Sequence, residues 1–224
     1  MEVSVPRGDG LRDRKKRRTR QSISDMATQL FVERGFEEVT LAQIADAAEV
    51  SVKTIFNHFG SKDDLYFDRF DELRASIVAV IVERPAGTTV LAALEALLTD
   101  NRVPFPGDGW GGLRDKERYE SFRSFLAAQE RSPALRSRRL VLEEELGEFL
   151  LGVLATELDR QPQDPALLAL GAMLVAAMQL RERTLRAAIL ARMPAGEVHR
   201  RVRAVVGATF GPLRVGFGAL DRAR

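Results

Sequence analysis

Apolar residues recur at three- and four-residue spacing along most of the chain, which is the period of an amphipathic helix. The pattern is clearest in residues 40–59, where two short apolar faces are separated by a break at Glu49 and Val50. The apolar positions of the two faces are Leu41, Ile44, Ala45 and Ala48, then Val52, Ile55, Phe56 and Phe59. We therefore predict two short helices joined by a tight turn.

Polar residues stand where caps of these two helices are expected. Thr40 precedes the first helix and Gln43 follows three residues later, which is the spacing of a capping box. Ser51 precedes the second helix, whose solvated face carries hydrogen-bonding side chains, namely Lys53, Thr54, Asn57 and His58. A helix with such a face can enter a DNA major groove, although an ordinary helical hairpin has the same local pattern.

Further helices are predicted on both sides of this pair, and no alternating pattern of strand length is found in the sequence. A first helix runs to about Arg34 and ends at Gly35, and a long helix capped by Ser61 runs from Lys62 to before Pro85. The later helices are expected over residues 87–100, 113–129, 134–158 and 165–192, and from residue 197 onward. Glycines and Pro212 argue against a continuous helix in the second half of the last segment. The fold class predicted is all-α, with about nine helices.

Composition indicates a folded protein rather than an enzyme with a recognisable site. Apolar residues make up 45% of the chain, enough for a core, and there is no cysteine for a disulfide or a thiolate metal site. The two histidines, His58 and His199, have no metal-ligand spacing, and no glycine-rich phosphate loop follows a strand. We therefore predict no catalytic residues, no metal and no cofactor.

Positive charge is concentrated near the N-terminus, although the net charge of the whole chain is only +2. Eight basic residues lie between Arg7 and Arg20, opposed by Asp9 and Asp13. We expect residues 1–13 to be a disordered basic arm. Part of this basic run would contact DNA phosphates or the minor groove, the alternative being a solvated tail.

The longest uncharged run, residues 165–180, is shorter than the ~18–20 residues of a membrane span and contains Gly171. A buried packing helix is the better interpretation of this run. The N-terminal sequence also lacks the apolar core of a signal peptide, so we expect a cytoplasmic protein without a membrane partner.

A larger set of residues gives the chain a family resemblance. In order, the set is Ile23-x3-Ala27-x2-Leu30-Phe31, Arg34-Gly35-Phe36, Val39-Thr40, Ile44-Ala45, Val50-Ser51, Thr54-Ile55-Phe56, His58-Phe59 and Lys62-x2-Leu65. In this order and spacing the segment resembles the TetR family of transcriptional regulators. The rest of the chain is similar to that family only in the number and length of its helices.

The resemblance implies a homodimeric DNA-binding protein with two domains. Residues 14–77 would form a three-helix DNA-binding domain with its helix-turn-helix motif at residues 40–59. Residues 78–224 would form a larger effector-binding and dimerisation domain, with dimer contacts in the last two helices, residues 165–193 and 197–220. The usual role is a repressor that binds a palindromic operator and is released by a small molecule, here expected to be hydrophobic. An activator on the same scaffold and a non-specific architectural DNA-binding protein are the alternatives.

The resemblance also implies DNA contacts for the motif. Asn57 could pair with adenine, Lys53 with a guanine edge or a phosphate, and Thr54 with a thymine methyl or a phosphate. The hydroxyl groups of the two caps could serve a phosphate as well as the helix. The full set of predicted DNA-binding residues is Thr40, Ser51, Val52, Lys53, Thr54, Asn57, His58 and Lys62.

Two residues depart from the family pattern. Glu49 stands where the turn usually carries glycine, so a left-handed backbone is expected there at a cost of about 1 kcal/mol. Phe56 stands where a tyrosine hydroxyl commonly meets a phosphate, so this chain lacks that contact and neighbours such as His58 or Lys62 would hold the phosphate.

Candidates for an effector pocket are aromatic, methionine and amide side chains of the C-terminal part. They are Phe105, Trp110, Tyr119, Phe122, Phe125, Phe149, Met173, Met178 and Gln179. Phe105 and Trp110 lie in a glycine- and proline-rich segment that could act as a lid. The alternative for each aromatic or methionine is an ordinary place in a helical core.

Overall fold

A computed structural model describes residues 10–100 and 112–220, apart from the side chain of Leu11. Within these residues the protein is all-α, as predicted, with ten α-helices, a short 3-10 helix at Gly112–Arg114 and no strand. The helices are α1 (Leu11–Arg34), α2 (Leu41–Ala47), α3 (Val52–Phe56), α4 (Lys62–Tyr66), α5 (Phe70–Val82), α6 (Val90–Thr99), α7 (Lys116–Arg131), α8 (Pro133–Glu157), α9 (Pro165–Leu190) and α10 (Ala195–Phe217).

The chain divides into two compact units, the first ending at Asp68 and the second beginning at Arg69. The first unit holds α1 to α4 around a small apolar core. An aromatic cluster lies in this core, where the ring centroids of Phe31, Phe36 and Tyr66 are 5.2 to 5.7 Å apart. Such tilted and edge-to-face pairs stabilise a core beyond the area they bury. The remaining fully buried residues include Ile23, Ile44, Ile55 and Leu65.

The second unit is built around α9, which packs against both α8 and α10. Asp164 caps α9 by accepting a hydrogen bond from the Ala166 amide at 2.9 Å, and Pro165 occupies the first helical position. This N-terminus confirms the prediction made from the sequence. The core side chains of the three helices include Leu150 and Leu154, Leu170, Leu174 and Ile189, and Val202 and Phe210.

Two boundaries in the N-terminal half differ from the predictions. Helix α1 begins at Leu11, so residues 11–13 are helical, while residues 1–9 of the predicted arm lie outside the described residues. The long helix predicted from Lys62 is divided into α4 and α5, because Phe67 and Arg69 have ψ angles of 20° and 0°. Between them, the Asp68 carboxylate pairs with Arg20 of α1, a long-range contact that local periodicity cannot reveal.

Helix α10 also differs from the prediction, because it continues through Gly207, Gly211 and Pro212 to Phe217. Proline removes one backbone hydrogen bond and glycine has low helix propensity, which is why a break was expected. Phe210 and Leu213, on either side of Gly211 and Pro212, are buried in the core of the second unit. Tertiary burial therefore maintains a helix that propensity alone disfavours.

Helix α9 is long and apolar enough to cross a membrane, but helices in a protein core meet the same criterion of length and composition. Within the second unit it carries two buried arginines, Arg181 and Arg186. Arg181 Nε donates to the Leu98 carbonyl at 3.0 Å, and Arg186 pairs with Glu130 at 3.1 Å. These contacts favour its interpretation as a packing helix.

A buried ion pair joins the end of α5 to the end of α8. Arg84 and Glu157 are 2.8 Å apart, and their side chains are 1% and 9% exposed. Arg84 also donates to the carbonyl groups of Ile81 and Thr88. The guanidinium thus closes the turn between α5 and α6 while it is held by α8.

Replacing Glu157 by glutamine should destabilise the protein by about 3 kcal/mol, because the Arg84 charge would be buried without its partner. Chemical denaturation of the purified variant measures this loss. The control is Arg160→Gln, which removes an exposed pair to Asp164 at 3.4 Å and should cost less than about 0.5 kcal/mol. Equal stability of the two variants would contradict the role given to the buried pair.

Candidate nucleic-acid interface

Both helices of the motif have the caps that the sequence predicts. Thr40 Oγ1 accepts a hydrogen bond from the Gln43 amide at 3.2 Å, and Gln43 Oε1 accepts one from the Thr40 amide at 2.8 Å. Ser51 Oγ accepts from the Thr54 amide at 3.0 Å and lies 2.8 Å from the Thr54 hydroxyl oxygen. These bonds satisfy amides that a helix start leaves without a helical partner.

The turn between α2 and α3 is closed although it has no glycine. Glu49 has a φ of 53°, the left-handed conformation expected at this position. On either side of Glu49, the Ala48 amide donates to the Ile44 carbonyl and the Val50 amide donates to the Ala45 carbonyl, both at 2.9 Å. The chain therefore makes this turn with a non-glycine residue in the left-handed conformation, which costs conformational free energy.

The inner face of α3 is anchored by Ile55 and Phe59, which are almost fully buried. Phe56 was expected on this face, but its side chain is 54% exposed. The reason is geometric: Phe56 lies about 100° around the helix from Ile55 and is the last residue of α3, so no further turn covers it.

The outer face of α3 and its N-terminal cap present most of the predicted DNA-binding side chains to solvent. Lys53 and Asn57 are exposed, as are the caps Thr40 and Ser51. Val52, Thr54 and His58 are partly exposed. The fold thus gathers these side chains on α3 and at its ends, apart from Thr40, which caps α2.

Lys62 has intramolecular contacts that sequence reasoning missed. Its ammonium group donates to the carbonyl of Phe36 at 2.8 Å and to that of Val39 at 3.0 Å, and it lies 4.2 Å from the centroid of the Phe36 ring. Two of its three N–H groups therefore hold the loop between α1 and α2. The predicted phosphate contact of Lys62 stays a prediction, and it would use the third N–H group.

Arg20 connects α1 to the far end of α3 and was absent from the predicted site. Its guanidinium donates to the His58 carbonyl and to the Asp68 carboxylate, and it lies 4.3 Å from the centroid of the Phe59 ring. A signal for this role was present in the sequence, because Arg20 lies three and seven residues before Ile23 and Ala27, on the same helical face.

His58 lies in a positive environment. Partial burial, followed by the charges of Lys16 and Arg20, lowers the pKa of its imidazole below the ordinary value of 6.5. A neutral imidazole next to two cations makes this corner of the unit suited to a negatively charged group.

The segment that carries this geometry has known relatives. A family model described as "Bacterial regulatory proteins, tetR family" matches residues 23–68. The resemblance to the TetR family seen in the sequence therefore holds for the domain at residues 23–68. The match ends near the boundary of the first compact unit at Asp68.

Two transcriptional regulators are similar to part of the chain. The chain is 41% identical over 91 residues to the HTH-type transcriptional regulator TcmR of Streptomyces glaucescens, covering 41% of this chain and 40% of TcmR. It is 33% identical over 101 residues to the HTH-type transcriptional repressor KstR2 of Rhodococcus jostii, covering 43% and 47% of the two chains. The chain therefore spans less than half the length of these relatives.

A solved structure extends the likeness of fold beyond the first unit. A TetR transcriptional regulator from Rhodococcus sp. RHA1 aligns with 87% of this chain and 97% of its own, with a TM-score of 0.52. The two sequences are 14% identical, so this likeness concerns the fold alone.

Several of the effector-pocket candidates belong to the core of the second unit or pack against it. Phe122 is buried in the core, and Phe125, Phe149 and Met178 pack against it. The Tyr119 hydroxyl donates to the Met193 carbonyl at 2.7 Å, which links α7 to the end of α9. Phe105 and Trp110 lie outside the described residues.

Met173 and Gln179 have other positions. Met173 is 47% exposed on α9. Gln179 donates to Glu143 at 3.0 Å and lines a groove of about 520 Å³ between α8 and α9. The apolar lining of this groove includes Leu140, Leu151 and Val175.

Replacing Glu49 by glycine should stabilise the TetR-family domain by about 0.5–1 kcal/mol, because the left-handed conformation costs glycine little. Glu49→Ala is the matched control: it removes the carboxylate but keeps Cβ, and should change stability little. Thermal denaturation of both variants measures the difference. The strain at Glu49 is refuted if alanine and glycine have the same effect.

The lowered pKa of His58 predicts a dependence of stability on pH. The folded protein binds this proton less readily than the unfolded chain, so the contribution of His58 is present above its ordinary pKa of 6.5 and is lost as the pH falls below that value and through the lower pKa of the folded protein. His58→Gln, which cannot take up the proton, should therefore lose less of its melting temperature than wild type between about pH 7.5 and about pH 5.5. Thermal melts at the two pH values test this, and an equal loss in both proteins would count against the shift.

Proposed function

We propose that the protein is a sequence-specific DNA-binding transcriptional regulator that acts as a homodimeric repressor. The observation that carries this proposal is the capped α2–α3 pair with an exposed polar face on α3, within a domain of the TetR family. The relatives named above are a transcriptional regulator and a transcriptional repressor, which supports the same function. A repressor of this kind works in the cytoplasm, where its operator is accessible.

In this proposal α3 enters the major groove. Lys53 and Asn57 are exposed on its outer face, four residues apart, so that both can reach the same groove wall or floor. The amide of Asn57 can pair with adenine, and the ammonium of Lys53 can bind a guanine edge or a phosphate. The Thr54 hydroxyl is 2.8 Å from Ser51 Oγ, which orients it at the N-terminal end of α3.

The dimer would be formed through α9 and α10. Three large apolar side chains of α9, Leu168, Met173 and Leu180, are 44–47% exposed, and Val215 of α10 is 88% exposed. Large exposed apolar surfaces mark sites of protein association. A second copy that covers both helices would remove these side chains from water and set two motifs on a palindromic operator.

Release of this repressor by a hydrophobic small molecule stays a prediction. The groove between α8 and α9 is one candidate site among the described residues, since its lining is mainly apolar and includes Gln179.

The proposal is tested by selecting genomic fragments that the purified protein binds. Fluorescence anisotropy then compares a selected duplex with a scrambled one across a salt series. A preference of about a thousandfold or more, with two related half-sites one helical turn apart, is expected for the regulator. Equal affinity for the two duplexes would indicate an architectural DNA-binding protein. A reporter gene placed behind the selected site shows whether the protein represses or activates transcription, because an activator would raise expression of the reporter.

Asn57→Ala should reduce the preference at one base pair of the selected site by about 1–3 kcal/mol, because a bidentate contact to a base edge is lost. Affinity for scrambled DNA should stay unchanged. Gln29→Ala is the control, since it removes an exposed amide of α1 that donates to Glu33 at 2.8 Å. If Asn57→Ala weakens selected and scrambled duplexes equally, Asn57 does not read a base.

A further inference from the structure

One face of α1 changes from apolar to basic along the helix. Ile23, Ala27 and Leu30 are buried and lie on the side of α1 that packs in the first unit. Counting back from this stripe in steps of about one turn gives Arg20, Lys16 and Arg12 on the same side. Residues 12–18 are all exposed, so this end of α1 extends beyond the core.

The basic stripe, defined here as Arg12, Lys16 and Arg20, points toward the end of α3. Arg20 donates to the His58 carbonyl and lies over the Phe59 ring. Lys16 is close enough to His58 for its charge to lower the pKa of the imidazole. The stripe therefore lies next to the exposed surface of α3 and forms one continuous surface with it.

We propose that Arg12 and Lys16 bind phosphates of the DNA backbone beside the groove that α3 enters. This inference rests on the proposed function and adds a second contact surface to it. A helix holds the two side chains about 6 Å apart along its axis, so their positions are fixed before DNA binds. A disordered arm would have to lose conformational entropy first.

Charge alone does not single out these two residues, because α1 carries basic side chains all round its first turns. Arg14 and Arg18 have the same four-residue spacing and are also exposed, but lie on the opposite side of α1. Asp13 is the one acidic residue among residues 12–20. The pair Arg14 and Arg18 is therefore a matched control for the stripe.

The experiment compares three full-length proteins: wild type, R12Q/K16Q and R14Q/R18Q. Each is titrated by fluorescence anisotropy onto a random-sequence duplex of about 30 base pairs across a salt series. Glutamine keeps a high helix propensity, and circular dichroism verifies that α1 is retained. For R12Q/K16Q the slope of log K against log salt should fall by about 1.8, and affinity at 0.1 M salt should fall roughly 60-fold. For R14Q/R18Q both quantities should stay close to wild type.

Two outcomes would overturn the proposal: equal losses in the two double variants, or an unchanged slope in R12Q/K16Q. Repeating the titration on a selected fragment separates this inference from the proposed function. Phosphate contacts carry no sequence information, so R12Q/K16Q should keep the wild-type ratio of selected to random affinity. If wild type binds the two duplexes equally, sequence-specific regulation fails, while the comparison of the double variants still decides the role of the stripe.

Discussion

The position of α3 depends on Arg20. A helix of five residues is too short to be stable by itself, so its place in the domain is set by tertiary contacts. Burial of Ile55 and Phe59 fixes its inner face. Arg20 then holds its C-terminal end through the His58 carbonyl and the Phe59 ring. With both ends of α3 defined, by the Ser51 cap and by Arg20, its outer side chains have a fixed spacing.

Some polar groups of the first unit make hydrogen bonds within the unit, and others are exposed to solvent. Lys62 is largely used within the domain, where it satisfies two carbonyl groups in the loop between α1 and α2. Lys53 and Asn57 are instead exposed on α3. For Lys62 the cause is the position of two backbone carbonyl groups within reach of its ammonium group. A cationic side chain close to α3 is therefore not by itself evidence of a DNA contact.

Local chemistry was sufficient to predict the motif. The Thr40–Gln43 box and the Ser51 cap are bonds between residues three apart, and the sequence shows them directly. The contacts of Lys62 with Phe36 and Val39 join residues 26 and 23 positions apart, which no local pattern encodes. The same limit applies to the break before α5, where Asp68 pairs with Arg20 of α1. In α10 the local signal was misleading, since tertiary burial keeps a helix through Pro212.

Asp68 is both a partner of Arg20 and the last residue of the first unit. The anchor of α3 is therefore attached to the place where the chain passes from one unit to the other. A rotation of the backbone at residues 67–69 would move the carboxylate, and with it the guanidinium that supports the His58 carbonyl. The backbone conformation at the end of the first unit is thus linked, through a single guanidinium, to the C-terminal end of α3.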